Sequence, residues 1–147
     1  MALSTEAIGK TYPPSTYAVG REKIREYAAT VGETNPVHFD VEAAQAAGYA
    51  DVVAPPMFAV VYGARAVGPA ILDPKVGINF AMMVHAGQEF VWGPVVVAGD
   101  EVTTSTSVKD ISDRGGMAFY VFETVSENQR GETVCTGTWT QIVRGAS

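Results

Sequence analysis

Between residues 21 and 32 the chain reads REKIREYAATVG, with Ile24, Tyr27, Ala28 and Val31 at positions i, i+3, i+4 and i+7. That spacing lays four apolar side chains along one stripe of an amphipathic helix. Gly32 is placed to end it. Just upstream, STYAV (15–19) predicts a short strand. The loop ETNPVHFD follows. Pro36 has no backbone N–H to give and biases Asn35 toward extended geometry, so a stiff backbone aims this loop's side chains. VEAAQAAG (41–48) predicts a short helix stopped by Gly48. From Pro56 to Leu72 the residues are almost all apolar, and a proline at the first turn suits a helix start. This second long helix has almost no polar face.

After DPKVG the pattern changes. The stretches 78–97, 101–110, 117–126 and 133–143 are rich in valine, threonine and aromatics. AGD, DRGG and ENQRGE separate the later ones as turn signals, so consecutive strands pair antiparallel. The expected class is α+β: an antiparallel sheet with one dry helix packed on it. Seventeen helical residues span roughly 25 Å, so the sheet must be long and curved to cover them. A second subunit is expected to hide what one sheet leaves bare.

Composition narrows this picture. The chain has 147 residues, 47% of them hydrophobic and 18% charged. One domain spanning 1–147 with its own core is expected. The net charge of −6 argues against nucleic acid or an anionic membrane as partner. The apolar run 55–74 is interrupted by Arg65 and bounded by prolines, unlike a membrane span. The start, MALSTEAIGK, lacks the basic and apolar regions of a targeting segment. A single cysteine, Cys135, suits a reducing cytosol, and its strand-like setting predicts a small buried residue. Two histidines and one cysteine show no metal-ligand spacing. His85, in a strand, is read as packed or interfacial, and its alternation with Gln88 is imperfect. Arg65, alone on the apolar helix, is expected to extend its head to water or to pair with an acid.

The stretch GETNPVHFD gathers an acid, an amide and an imidazole within a few residues. It resembles the hydratase motif G-D-x-N-P-x-H of the MaoC-like family of (R)-specific enoyl hydratases and 3-hydroxyacyl dehydratases. Gly32, Asn35, Pro36 and His38 stand in the matching places, and Glu33 sits where the family carries aspartate. The segment FVWGPVVVAGDEV is similar to the family's strand-turn-strand. The likeness runs from about residue 5 to 143, and REKIREYA looks especially close to the small actinobacterial dehydratase subunits that work on acyl-carrier-protein substrates. It implies a hot-dog fold, in which a curved antiparallel sheet wraps a long central helix. It also implies a dimer, homodimeric or heterodimeric, and an acyl thioester carried on coenzyme A or acyl carrier protein. No metal or redox cofactor is implied.

The chemistry fits those residues. Dehydrating a 3-hydroxyacyl thioester needs a base for the Cα proton and an acid for the departing hydroxyl. Imidazole suits the first task and a carboxyl group the second. The expected base is His38 and the expected acid, or water-orienting group, is Glu33. Asn35 would orient a neighbour or the loop itself through its amide, and it is counted with Pro56, Met57 and Phe58 among the expected substrate-binding residues. Charge gathering on the thioester oxygen calls for backbone N–H groups at the start of the apolar helix. Pro56 stands there without an N–H, so Met57 or Phe58 would serve. Two alternatives stand beside this reading. One is a non-catalytic acyl-chain-binding subunit of a heterodimeric dehydratase. The other is a hot-dog thioesterase in which Glu33 activates water.

Overall fold

The computed structural model describes residues 3–145. Five strands form one sheet: β1 (Thr11–Ala18), β2 (Met83–Trp92), β3 (Glu101–Arg114), β4 (Met117–Glu127) and β5 (Thr133–Arg144). Their spatial order is β1-β3-β4-β5-β2, antiparallel at every pairing. Strands β1 and β2 are therefore the edges. The helices are α1 (Arg21–Thr30), α2 (Val41–Ala46) and α3 (Ala59–Ile71).

Alternation sets the sheet's two faces. Along β4 the inward residues Ala118, Tyr120, Phe122, Thr124 and Ser126 are all buried, while most of those between them are half-exposed. Period two leaves one face for α3 and one for water. A register shift at Lys109 lets Val108 and Ile111 both stay inward on β3, the usual effect of an extra residue in one strand. A second shift, between His85 and Gly87 on β2, sets His85 and Gln88 opposite the inward-facing Gln141 and Trp139, although His85, on an edge strand, stays exposed. The imperfect alternation in the sequence therefore resolves into one shared face. His85 Nδ1 lies 2.9 Å from Gln141 Nε2, and its ring meets Trp139 edge-on.

Several boundaries differ from the sequence reading. Strand β1 begins at Thr11 and includes Pro13 and Pro14. Prolines are tolerated because β1 is an edge, and the register slips between Tyr12 and Ser15 to accommodate them. Val31 leaves the apolar stripe of α1: it is the C-cap residue and 51% exposed, whereas Ile24 and Ala28 are fully buried. The run 78–97 is not one strand. Phe80–Met82 form a 3-10 turn, β2 ends at Trp92, and Gly93–Pro94 break the ladder, leaving Val97 in an isolated bridge to Val53. The apolar helix opens with a 3-10 turn, Pro56–Phe58, before α3 proper.

Helix α3 buries Ala59, Tyr62, Gly63, Ala66, Val67 and Ala70 against the sheet. Its other side leaves Ala64, Arg65, Pro69 and Leu72 exposed, so a single sheet does not cover it. Arg65 forms no ion pair among the described residues. Its guanidinium instead stacks over the Tyr17 ring, 4.9 Å from the centroid. No described helix is long and apolar enough to cross a membrane.

The end of α3 is tied back to the chain's start. Asp73 accepts from Lys10 Nζ, from the Lys75 backbone N–H and, at 2.7 Å, from the Tyr12 hydroxyl. These bonds, Lys10 foremost, hold its carboxyl down from 3.8 to about 2. A depressed carboxylate pKa contributes stability that is complete above its ordinary value and lost as pH falls through the folded one. Asp73→Asn is thus expected to lower the melting temperature near neutrality, with the gap to wild type closing between about pH 4 and pH 2. A gap that persists at pH 2 would show that the carboxylate's charge is not what holds the strap.

Candidate active site

The loop that carries the acid and the imidazole is built from local rules. Helix α1 ends when Gly32 takes a positive φ of 78°. Gly32 N–H then bonds the Ala29 carbonyl and Glu33 N–H the Ala28 carbonyl, the paired closure that satisfies a helix's last carbonyls. Glu33 is fixed at its backbone by this closure. Two residues on, Asn35 Oδ1 accepts from Val37 N–H and caps the 3-10 turn Pro36–His38. Asp40 caps α2 in the same way, and Arg25 Nε donates to the Phe39 carbonyl. Each expected feature of the loop has a bonded counterpart.

His38 is 8% exposed. Its Nδ1 lies 2.5 Å from the Val53 carbonyl oxygen. A carbonyl only accepts, so Nδ1 carries the hydrogen, and Nε2 of the neutral ring is left with its lone pair. That nitrogen faces Glu33 Oε2 at 3.8 Å. The site thus brings together the two groups that the sequence singled out, with the imidazole in the tautomer a base requires.

Val53 is itself clamped. Its N–H donates to the Val37 carbonyl, and it bridges Val97. Asp100, buried, accepts from Val97 N–H at 3.0 Å and from Gln129 Nε2 at 2.8 Å. The Gly-Asp pair of the 93–101 segment is therefore a turn clamp that reaches His38 through Val97 and Val53. Sequence reasoning missed Val53. The signal available was only the apolar run ending in Gly-Asp, which says nothing about its partner.

Beside this platform lies a largely apolar cavity of about 360 Å³, bounded by Ala54, Pro56, Phe58, Tyr62, Trp92 and Val134 among others. Its size falls in the range of small-molecule pockets. Pro56 and Phe58, expected near the substrate, line it. Met57 does not; its side chain points outward. Neither His38, Glu33 nor Asn35 is part of its wall. The Phe58 N–H is taken by the Pro55 carbonyl at 2.8 Å, whereas the Met57 N–H has no partner among the described residues. Of the two expected backbone donors, Met57 alone is free. The Trp92 indole donates to the Pro56 carbonyl at 2.9 Å, joining the end of β2 to the start of α3. Cys135 is buried, as expected. Burial pushes its thiol up to about 11, the Tyr62 hydroxyl opposing only in part. It is therefore no nucleophile near neutrality.

Residues 6–137 match the family described as FAS1-like, dehydratase domain region. The chain belongs to this FAS1-like dehydratase family. A UPF0336 protein of Saccharopolyspora erythraea is 42% identical over 148 residues, covering 100% of this chain and 95% of its own length. One from Leifsonia xyli is 43% identical over 138 residues, covering 93% of each. Among solved structures, a HadBC (3R-hydroxyacyl-ACP dehydratase) complex from Mycobacterium tuberculosis superposes with TM-score 0.82 at 28% identity, over 94% of this chain and 98% of that one. A MaoC-like dehydratase gives 0.86 at 27%, over 96% of this chain but 43% of that one, so this chain spans less than half of it. The FAS1-like dehydratase fold is thus the hot-dog expected from the motif.

Gly32→Ala tests the loop's construction. A β-carbon in the left-handed region costs roughly 1–2 kcal/mol, so a modest loss of stability is expected. A shift of about 1 Å in Glu33 is expected to lower, on the order of a hundredfold, any reaction rate that depends on its place opposite His38. An unchanged rate in a folded variant would mean that Glu33 has no positional role.

Proposed function

We propose that this protein reversibly dehydrates (3R)-hydroxyacyl thioesters, or hydrates trans-2-enoyl thioesters, on coenzyme A or acyl carrier protein. The observation that carries the reading is the His38 tautomer, fixed by Val53 with Nε2 opposite Glu33 at 3.8 Å. In dehydration, His38 Nε2 takes the Cα proton. The electron pair moves into the Cα–Cβ bond, and the Cβ hydroxyl leaves as water with a proton from Glu33. The free Met57 N–H receives the thioester oxygen as it gains charge. Asn35 holds the loop rather than the ligand. The apolar cavity takes the acyl chain, and the protein works in the cytosol. A second hot-dog subunit, identical or homologous, covers the exposed side of α3 and the edge of β2, where Val84, Val91 and Trp92 are exposed.

Purified protein is expected to consume a trans-2-enoyl thioester with loss of its conjugated absorbance and without release of free thiol. Thiol release would instead favour the thioesterase chemistry.

A second reading has its own support. The cavity wall contains neither His38 nor Glu33, and the HadBC structure is a complex of two different subunits. On that reading the chain binds the acyl group while a homologous partner performs the chemistry. Activity that appears only on mixing with a co-purifying homologue would decide for it.

A further inference from the structure

The free donor at the start of α3 is one end of a peptide plane whose other end is held from across the cavity. Met57 N–H and the Pro56 carbonyl belong to one peptide unit, trans like every described peptide bond. In a trans unit the C=O and the N–H point in opposite directions and turn together. Whatever fixes the carbonyl therefore aims the N–H. The Pro56 carbonyl accepts from Ala59 N–H, which closes the 3-10 turn, and from the Trp92 indole at 2.9 Å. Pro56 and Trp92 both line the cavity. The indole is itself seated. Phe90 packs against it at 5.9 Å. The next residue, Gly93, lies so close to β5 that a β-carbon would collide with the Thr133 carbonyl oxygen, and its N–H bonds the Val134 carbonyl at 2.9 Å. Only a glycine lets the chain after β2 approach β5 this closely. Trp92 is 50% exposed, so burial alone does not hold its side chain; the bond to Pro56 does.

We propose that Trp92 is a positioning residue for the reaction: its indole holds the Pro56–Met57 peptide so that Met57 N–H stays aimed at the thioester oxygen. This rests on the hydratase reading above, and within it on Met57 as the donor to that oxygen. The same bond strengthens the donor. A carbonyl that accepts a hydrogen bond polarises its peptide and makes the N–H of that unit a better donor. Aim and strength thus come from one contact, made by a side chain that does not touch the reacting carbons.

The test is Trp92→Phe, which keeps an aromatic wall and removes the N–H. Full-length wild type and variant are compared on crotonyl-pantetheine. The expected result is a kcat lower by about tenfold, short of the hundredfold or more that outright loss of such a donor costs, with KM nearly unchanged. A raised KM at constant kcat would make Trp92 a wall of the cavity and nothing more, and overturns the proposal. The Met57 amide is read separately by NMR on protein carrying isotope-labelled methionine. The chain has 5 methionines, and Met57→Leu assigns the resonance. Saturating butyryl-pantetheine is expected to move the Met57 amide proton downfield in wild type and clearly less in Trp92→Phe. Equal movement in both overturns the proposal. A wild-type Met57 amide that the bound thioester leaves unmoved overturns the donor reading beneath it. Wild type that hydrates no enoyl thioester overturns the hydratase reading alone, and the amide shifts then still decide whether Trp92 aims Met57. Should Trp92→Phe not fold, wild type carries the test through its indole protons, the half-exposed Trp92 exchanging faster with water than the buried Trp139. The Trp92 indole proton is expected to move in step with the Met57 amide during the titration, because one peptide joins them. An indole proton that stays still while Met57 moves overturns the proposal.

Discussion

Replacing His38 with alanine is expected to lower the hydration rate about a thousandfold, in the middle of the range for losing a general base. The stability cost should be far smaller. The side chain makes one hydrogen bond, to the Val53 carbonyl, and one such bond contributes about 1 kcal/mol net. A thousandfold loss corresponds to ~4 kcal/mol of transition-state stabilisation. The two effects are well separated, so a melting curve and a rate measured on one preparation distinguish chemistry from unfolding. Glu33→Gln should cost less, on the order of a hundredfold, because it keeps the shape of the side chain and removes only its proton. Glu33→Asp shortens the reach by one methylene and discriminates further. If the glutamate already places its oxygen correctly opposite Nε2, the shorter acid loses rate. Full activity in His38→Ala would end the assignment of His38 as the base, whereas wild type inactive on its own would leave the acyl-binding subunit as the better account.

The parts of this site that were legible in the sequence are those that local rules determine. Gly32 ends α1, Asn35 was expected to orient the loop that follows, and Pro36, the first residue of the turn that Asn35 caps, stiffens it. Each acts on neighbours within five residues, so GETNPVHFD alone placed Glu33 and His38 near one another. The Val53 carbonyl was not legible. It lies 15 residues from His38, and its position depends on the bridge to Val97 and the clamp at Asp100, both products of tertiary pairing. The cavity was half legible. Pro56 and Phe58 open the apolar helix and were expected near the ligand, while Trp92 reaches them only because β2 lies beside β5 at the sheet's edge. Val31 failed for a different reason. Its spacing fits the stripe of α1, yet it falls on the cap, where the backbone has already begun to turn away. The run 78–97 misled because apolar content alone does not distinguish a strand from a 3-10 turn followed by a strand. Gly93 and Pro94, which break the ladder, were the residues to weigh there.

Phe58→Ala carries the largest expected loss of stability, about 3–5 kcal/mol. Phe58 is 1% exposed. Its ring meets Tyr27 edge-on at 5.5 Å, Tyr17 at 6.2 Å and Tyr62 at 6.3 Å. It therefore joins β1, α1 and α3 at one point, and edge-on aromatic pairs add to the area buried. Against a typical total of about 5–15 kcal/mol, the variant should unfold at clearly lower denaturant with the slope of the transition unchanged. The expected fall in melting temperature is on the order of 10 °C. A loss below about 1 kcal/mol would mean that the start of α3 is held by something other than this cluster. The same residue also links stability to function. Phe58 N–H closes the turn on Pro55, and the turn presents the one free N–H, that of Met57. Removing the ring loosens the seat on which that donor depends. The hydratase rate should therefore fall even at temperatures where Phe58→Ala remains folded. Phe58→Leu, which keeps most of the apolar volume but not the edge-on contacts, should retain more of both, and the size of that difference measures how much of the donor's placement depends on aromatic packing rather than on filled space.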